Sequence, residues 1–387
     1  MIFRYGIDKD FEISKKIWLE CFTDSKEEVE FYFSNLYSKE NYLILEEDNK
    51  IKASLHENKY NLIINKEEVN SFYIVAVAVS PEYRGRGYMD KLLRKSLEQS
   101  RKNGYEIVYL SPINAAIYRK YGFDYICNYE KVIFSTEEIS TTGFDGEDSI
   151  EKIELNLIDK YICDLMDIYN NQMKDFFIYV KRDRKAFKNL LKEVISDGGE
   201  IYIFYRDNIP LGYIIFYKNE KIEVRELFSK NIEVKKKFLS FLKTFKEYYP
   251  TVEINTPVRD QINFCFKNQE KIEKKDIPFI MGRIVNPQQI LKRIDFNGLN
   301  FNIWIEDKYL PINDGIYKIM GNDIQRTDKK WDIKIDIGSL SQLLFGYFTL
   351  DELIFQNKLS VNNIGIIEAL KKEHIFDLKK SYIQDYQ

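Results

Sequence analysis

The most informative segment of the N-terminal part is Val77-Ala-Val-Ser-Pro-Glu-Tyr-Arg-Gly-Arg-Gly-Tyr88. The apolar, β-rich run over residues 72–79 predicts a buried strand, which Pro81 ends. Apolar side chains at helical spacing over residues 89–97 predict an amphipathic helix, which Gly104 stops. A strand therefore enters a helix through a glycine-rich turn.

The turn has the residue types of an anion site. Gly85 and Gly87 allow the backbone to approach a ligand closely, and the N–H groups at the start of a helix attract negative charge. Arg84 and Arg86 add positive charge that suits phosphate oxygens. The pattern is neither a Walker loop nor Gly-x-Gly-x-x-Gly, because Asp90 stands where the third glycine belongs. We interpret the turn as a pyrophosphate site; the alternative is a surface turn with two arginines.

Composition narrows the class of protein. The chain has 387 residues, 44% hydrophobic and 31% charged, which favours two or three folded domains. It has 58 Lys and Arg against 61 Asp and Glu, which argues against a nucleic-acid binder. We expect no membrane segment and a cytoplasmic location, since the N-terminus has no apolar leader and no apolar run could span a bilayer. The chain has two histidines, far apart in sequence, which predicts no His-rich metal site. It has four cysteines without a Cys-x-x-Cys pair, which predicts reduced, buried thiols.

The chain divides into three predicted domains with an α+β fold. The first covers residues 1–140, with helical spacing over residues 8–36, and the region from Glu138 to Ser149 is a polar linker. The second, 150–284, repeats the order helix, hairpin, strand, helix and strand, but lacks the glycine turn. The third, 285–387, combines alternating strands with short helices, for which Ser339 and Thr349 are predicted N-caps.

Two motifs resemble the GNAT acetyltransferases. The turn Arg84-Gly-Arg-Gly-Tyr-Met89 is similar to their motif A, although Met89 stands where Gly or Ala is usual, and Asn114-Ala-Ala-Ile-Tyr-Arg-Lys-Tyr-Gly-Phe123 resembles motif B. Cys21-Phe-Thr-Asp24, placed on the first helix, narrows the resemblance to the enhanced intracellular survival (Eis) family, as do the segments beginning at Met281 and Ser339. That family joins a GNAT domain, a degenerate GNAT domain and a sterol-carrier-like domain.

The resemblance implies an acetyl-CoA site in the first domain. Val77, Ala78 and Val79 would pair with the pantetheine arm. The pyrophosphate would lie on the turn, whose candidate residues are Arg84, Gly85, Arg86, Gly87, Tyr88, Met89 and Asp90. Ile113 and Asn114 would line the other side of the slot. No metal is implied.

The resemblance also assigns catalytic and substrate roles. Tyr118 would be the general acid that protonates the departing thiolate, and the α-carboxylate of Gln387 the general base. Phe22 and Asp24 would bind the amine. Other interpretations of these residues stay open: Tyr118 as one of 28 tyrosines in a core, Asp24 as a helix-surface charge, and Gln387 as a frayed end.

The sequence and the resemblance together predict an acetyl-CoA-dependent N-acetyltransferase that transfers directly within a ternary complex. The acceptor would be a primary amine of a cationic small molecule, since aminoglycosides are characteristic of the family and the chain is slightly acidic. A protein lysine or a polyamine is an alternative acceptor, and a non-catalytic scaffold that binds coenzyme A or lipid is an alternative class. Family members assemble as trimers and hexamers, which implies a homo-oligomer.

Overall fold

The computed structural model describes residues 1–384, so Gln387 lies outside the described residues. The elements of its N-terminal part are β1 (Ile2–Tyr5), α1 (Phe11–Cys21), α2 (Lys26–Asn35), β2 (Tyr42–Glu47), β3 (Lys50–Asn58), β4 (Leu62–Ile64), β5 (Glu67–Val69), β6 (Ser71–Val79), α3 (Tyr88–Lys102), β7 (Ile107–Leu110), α4 (Ala115–Arg119) and β8 (Asp124–Ser135). The predicted strand, turn and helix around residues 71–102 are confirmed.

The middle part continues with β9 (Asp148–Lys152), α5 (Ile158–Met173), β10 (Ile178–Val180), α6 (Arg184–Ser196), β11 (Glu200–Arg206), β12 (Ile209–Lys218), β13 (Ile222–Ser229), α7 (Ile232–Lys243), β14 (Thr251–Pro257) and β15 (Glu273–Ile284). The C-terminal part consists of α8 (Pro287–Lys292), β16 (Asn300–Glu306), β17 (Gly315–Met320), β18 (Asp323–Thr327), β19 (Ile333–Asp336), α9 (Ile337–Leu344), α10 (Leu350–Phe355), β20 (Leu359–Val361), α11 (Ile364–Lys372) and β21 (Ser381–Tyr382). The predicted α+β class is confirmed.

One twelve-stranded sheet runs through the first two parts. Its strand order is β1-β2-β3-β6-β7-β15-β8-β14-β13-β12-β11-β9. Strand β8 of the first part pairs antiparallel with β14 of the second, and β15 lies between β7 and β8. The predicted segment 150–284 therefore ends on a strand that completes the sheet of the first segment. Strands β16–β20 form a separate five-stranded sheet.

The helical stretch predicted over residues 8–36 is two helices with a break. Helix α1 ends at Cys21, and Ser25 begins α2 through a capping box: its hydroxyl accepts from the N–H of Glu28, and the Glu28 carboxylate accepts from the N–H of Ser25. The placement of Phe22 and Asp24 on the first helix was therefore wrong, since both lie in the connection between α1 and α2.

Of the two helix N-caps predicted in the C-terminal part, one is confirmed and one was wrong. Thr349 caps α10 as predicted, again within a capping box. Ser339 does not cap α9, because Asp336 accepts from the N–H groups of Gly338 and Ser339 and the helix begins at Ile337. A carboxylate at the end of β19 competes successfully with the hydroxyl three residues later.

The four thiols do not share one environment. Cys127 and Cys265 are buried, Cys21 is half-buried and Cys163 is exposed, and all four are free. The prediction of uniformly buried thiols was therefore wrong for Cys163, which lies on the outer face of α5, where its neighbour Arg184 donates to the sulfur at 3.4 Å.

His56 is a core residue. It lies on β3, is 3% exposed, and has its Nδ1 without a hydrogen-bond partner in the described chain. The rings around it are those of Trp18, Tyr32, Phe33, Tyr37 and Tyr42. Burial lowers the pKa of His56 to about 3, so the imidazole is neutral at pH 7 and a poor acceptor for an ammonium proton.

Because of His56, the free energy of unfolding should decrease as the pH is lowered. Because the pKa of His56 is depressed in the folded state, the unfolded chain binds its proton first as the pH drops below about 6.5. We expect His56 to remove about 2 kcal/mol of stability between pH 7 and pH 5. Urea unfolding followed by fluorescence measures it: the midpoint should fall less over this range in His56→Phe than in the wild type. An equal fall in both would contradict this assignment.

Candidate active site

The site begins where two strands separate. Strand β6 pairs in parallel with β7 through Ser71, Phe72 and Tyr73, and no further pair between these two strands occurs in the described structure. Ala76, farther along β6, has φ of +50° and lies where the register with β3 shifts. Such a bulge re-aims a strand. On the side of β7, backbone groups of β6 beyond Tyr73 therefore face an opening, while the other side of the strand stays paired with β3.

The glycine turn lies at the far end of this strand. Gly85 and Gly87 have φ of +74° and +73°, a conformation that favours glycine, and a Cβ built at either would meet no described atom within 4 Å. Gly87 is the N-cap of α3, so the first N–H groups of the helix have no intrahelical acceptor. The open turn and these N–H groups form a candidate anion cradle.

The side chains of the turn are not equally available to an anion. Arg86 is exposed, whereas the Nε of Arg84 donates to the carbonyl of Val79 at 3.2 Å and ties the turn to the end of β6. Tyr88 is buried and its hydroxyl donates to Glu47. The Asp90 carboxylate accepts from Tyr309 at 3.0 Å. The Arg86 guanidinium makes no hydrogen bond in the described structure and lies 5.8 Å from the centre of the Tyr83 ring, so it is the side chain of the turn most available to an anion.

Tyr118 lies at the opening between β6 and β7. It is 8% exposed and lines a cavity of about 440 Å³ together with residues of β6 such as Val75 and Val77. Burial raises the pKa of Tyr118 to about 12. The phenol therefore keeps its proton at neutral pH, as a group that is to donate one must.

The other residues predicted to line the acetyl-CoA slot differ in position: some line the cavity and others are engaged elsewhere. Ile113 lines the cavity and is 83% exposed, so an apolar side chain stands at its rim. The Asn114 side chain is engaged elsewhere: it caps α4 by accepting from the N–H of Ala116 at 2.9 Å. Of the β6 residues, Val77 lines the cavity, while Ala78 packs into a core cluster with Ile17.

The predicted amine-binding residues lie in the same cavity. Phe22 and Asp24 line it from the break between α1 and α2, with Trp18 and Tyr32 beside them. The Trp18 indole donates to an Asp24 oxygen at 2.6 Å, which holds that carboxylate in one orientation. Glu28 also lines the cavity, from the first turn of α2.

The second part of the chain supplies two further carboxylates. Glu193 and Asp197, at the end of α6, line this cavity and, together with Glu28, an adjoining one of about 340 Å³. Burial and the neighbouring carboxylates of Glu193 and Glu28 raise the pKa of Asp197. A cation placed among them would relieve this repulsion. The amphipathic pattern of α6, with Phe187, Leu190, Leu191 and Val194 buried, was a signal for this helix that the sequence interpretation missed.

Comparison with known protein families identifies the domains that form this site and the domain that follows them. Residues 3–126 match the model of an acetyltransferase (GNAT) domain, residues 179–284 match a second such domain, and residues 287–381 match a sterol carrier protein domain. The chain therefore contains two GNAT acetyltransferase domains. The Eis-type order of two GNAT domains and a sterol carrier domain, implied by the sequence resemblance, is confirmed.

Solved structures share the fold of this GNAT protein over its whole length. A conserved protein of unknown function from Enterococcus faecalis V583, described as a probable N-acyltransferase, is 19% identical with a TM-score of 0.85. A GCN5-related N-acetyltransferase from Anabaena variabilis is 20% identical with a TM-score of 0.82, and Eis1 from Mycobacterium abscessus is 15% identical with a TM-score of 0.79. Each alignment covers 100% of both chains. A search of the curated proteins gives no significant match.

The C-terminal tail of the GNAT protein is packed as far as residue 384. Strand β21 pairs in parallel with β10 and lies against β8, and Ile383 is fully buried. The Tyr382 hydroxyl donates to Glu226 at 3.3 Å, beside a buried ion pair of Arg182 and Glu226. These residues of the tail are therefore docked rather than frayed, while Gln387 lies outside the described residues.

Residues 1–384 show neither a metal-ligand group nor a membrane-spanning helix. That part of the GNAT protein has no group of three His, Cys, Asp or Glu side chains that could hold a metal ion. None of its helices is long and apolar enough to cross a bilayer.

Proposed function

We propose that the protein transfers the acetyl group of acetyl-CoA directly to a primary amine of a cationic small molecule. The observation that carries this proposal is the single cavity in which Tyr118 faces a group of carboxylates from both GNAT domains. Such a transfer needs a proton donor for the leaving thiolate, an attraction for the ammonium ion and an acceptor for its proton, and this cavity supports the first two.

The first GNAT domain fits acetyl-CoA at both ends. The β6 backbone beyond Tyr73 has unpaired groups that can bond the amides of a pantetheine arm, and an N–H of this strand could polarise the thioester carbonyl. The open turn at Gly85 and Gly87, with the start of α3, suits a pyrophosphate. The second domain has no such glycine turn between β13 and α7, which supports one cosubstrate site per chain.

The chemistry moves two protons. The ammonium must lose one before its nitrogen attacks the thioester carbon; the C–S bond then breaks and the thiolate takes a proton from Tyr118. Burial raises the phenol pKa to about 12, above the value near 10 expected from the sequence, so proton transfer to a thiolate whose thiol has a pKa near 8.5 is less favourable than the sequence implied. The proton acceptor for the amine stays a prediction, since Gln387 lies outside the described residues.

The carboxylates favour an acceptor with more than one positive charge. Asp24, Glu28, Glu193 and Asp197 surround the cavity, and three of them continue into the adjoining one. Glu193 is already paired with Arg225 at 3.1 Å. The negative charge that a second ammonium group would meet, several ångströms from the reacting amine, therefore comes from Glu28 and Asp197. Aminoglycoside-like molecules and polyamines share this property, whereas a single protein lysine does not.

A screen of coenzyme A release against a panel of amines tests the proposal. Thiol release should be faster with di- and polycationic small molecules than with monoamines or a lysine peptide. Equal or better turnover of the peptide would move the acceptor to protein lysine, and release with none of the amines would overturn the proposal.

Neutralising the carboxylates should weaken binding of the amine acceptor and leave binding of acetyl-CoA unchanged. In Glu28→Gln/Asp197→Asn we expect KM for a dicationic amine to rise about tenfold at low salt, because both side chains are partly exposed and screened. Glutamine keeps the capping box of α2. The KM for acetyl-CoA should not change. Asp207→Asn, at an exposed turn of the same domain, is the control, and an equal effect there would count against a local site.

A further inference from the structure

A loop of the sterol carrier domain lies against the first GNAT domain. Residues 307–314 connect β16 and β17, and we call them the docking loop. At one end, Asp307 accepts both of its bonds to Arg283 of β15, at 2.8 and 2.7 Å. At the other, Asn313 accepts from Arg101 of α3 at 3.2 Å. The loop therefore touches the helix that opens at the glycine turn.

The Arg283 end fixes the turn that follows Tyr118. Arg283 and Asp307 are almost completely buried, and a second nitrogen of Arg283 donates to the carbonyl of Tyr121. Gly122 has φ of +80°, and a Cβ there would collide with this guanidinium. The glycine of the Tyr-Gly-Phe motif thus admits a buried arginine.

The middle of the loop reaches the predicted pyrophosphate site. The Tyr309 hydroxyl donates to Asp90 Oδ1 at 3.0 Å. Its ring packs edge-on against Tyr121 at 4.8 Å between centroids, and the Arg94 guanidinium lies 4.7 Å from its centre. Tyr309 is thereby held by three residues of the first domain, and in turn holds the Asp90 carboxylate to one side.

The hydrogen bond from Tyr309 matters because Asp90 lies in the first turn of α3, beside the predicted pyrophosphate site. Asp90 is the third residue of α3, close to the unpaired N–H groups of the first turn, so a carboxylate that turned toward the start of the helix could accept from one of them. There it would occupy an N–H group and place negative charge where a pyrophosphate is to bind. The Tyr309 hydrogen bond competes with that rotamer.

We propose that Tyr309 is a positioning residue that keeps the Asp90 carboxylate away from the start of α3, so that the sterol carrier domain sets the cosubstrate affinity of the first GNAT domain. The proposal rests on the proposed function, in which this turn binds coenzyme A. The sterol carrier domain then takes part in acetyl transfer through its docking loop.

Calorimetry of the full chain with coenzyme A tests the proposal. Tyr309→Phe keeps the ring and removes the hydroxyl, and we expect the coenzyme A Kd to rise about tenfold, the size of a lost hydrogen bond to a charged group. The KM for acetyl-CoA should rise with it, while kcat at saturating acetyl-CoA stays near wild type. Adding Asp90→Asn to Tyr309→Phe should restore most of the affinity, because the amide carries no negative charge.

The possible outcomes are separable. Tyr347→Phe, at a tyrosine of the same domain that packs on Phe348, is the control and should leave the Kd unchanged. A wild-type chain that binds no coenzyme A would defeat the proposed function itself. A wild type that binds, with an unaltered Tyr309→Phe, would overturn the role of Tyr309. Weakening that Asp90→Asn does not restore would also overturn it, since a purely structural effect is indifferent to that charge.

Discussion

Replacing Tyr118 by phenylalanine should lower kcat by about 10²–10⁴ while coenzyme A binding is retained. The phenol is buried at the mouth of the opening between β6 and β7, and its raised pKa, about 12, keeps it protonated at the pH of the reaction. Without it, the thiolate must leave unprotonated or wait for water. Phenylalanine preserves the edge-on contact with Phe123, at 6.2 Å between centroids, so packing changes little.

The pH profile gives this prediction a second readout. A donor with a pKa near 12 stays protonated as the pH rises through neutrality, so Tyr118 should cause no loss of kcat below about pH 10. Tyr32→Phe is the matched control, since Tyr32 also lines the cavity but its hydroxyl donates to Asn58 at 2.8 Å. It should lose only a few-fold in kcat. A similar loss in the two variants would assign Tyr118 to packing.

Replacing Gly87 by valine should raise the acetyl-CoA KM and the coenzyme A Kd by about tenfold to a hundredfold. The backbone at Gly87 has φ of +73°, which a β-branched residue adopts only with strain. Its Cβ would also project into the open space that the pyrophosphate is proposed to fill. Isothermal titration with coenzyme A measures the effect directly.

The same helix offers a matched control for this change. Gly104 lies just beyond the C-terminal end of α3, has φ of +80°, and a Cβ there would likewise meet no described atom within 4 Å. Gly104→Val should cost similar stability, because the strain is similar, yet leave coenzyme A affinity unchanged. Equal loss of affinity in both variants would mean that strain in α3, rather than the cradle, is responsible.

The cosubstrate half of the site could be predicted because it is local in sequence. The end of β6, the turn at Gly85 and Gly87 and the start of α3 follow one another without interruption, and each has a composition typical of its structure. The side-chain partners could not be predicted in the same way. Tyr88 and Asp90 contact Glu47 and Tyr309, which are distant along the chain, so neither lies free in the cradle.

The acceptor half could be predicted only in part. Phe22 and Asp24 do line the cavity, although they do so from a break in the helix that the apolar spacing concealed. Ser25 and Glu28 carried the signal for that break, a capping box. Glu193 and Asp197 reach the cavity because two domains pack together, and no pattern within either segment states where a neighbouring domain will lie.

The return of β15 into the first sheet has a consequence for the order in which the chain can mature during synthesis. Strands β7 and β8 are neighbours along the chain but not in the sheet, because β15 separates them. Until residue 284 has left the ribosome, both strands have open edges beside one another, and exposed strand edges invite pairing with other chains. An isolated fragment that ends near residue 140 should therefore aggregate, however complete its acetyltransferase motifs are. We therefore expect that a fragment must extend through β15 to be produced on its own.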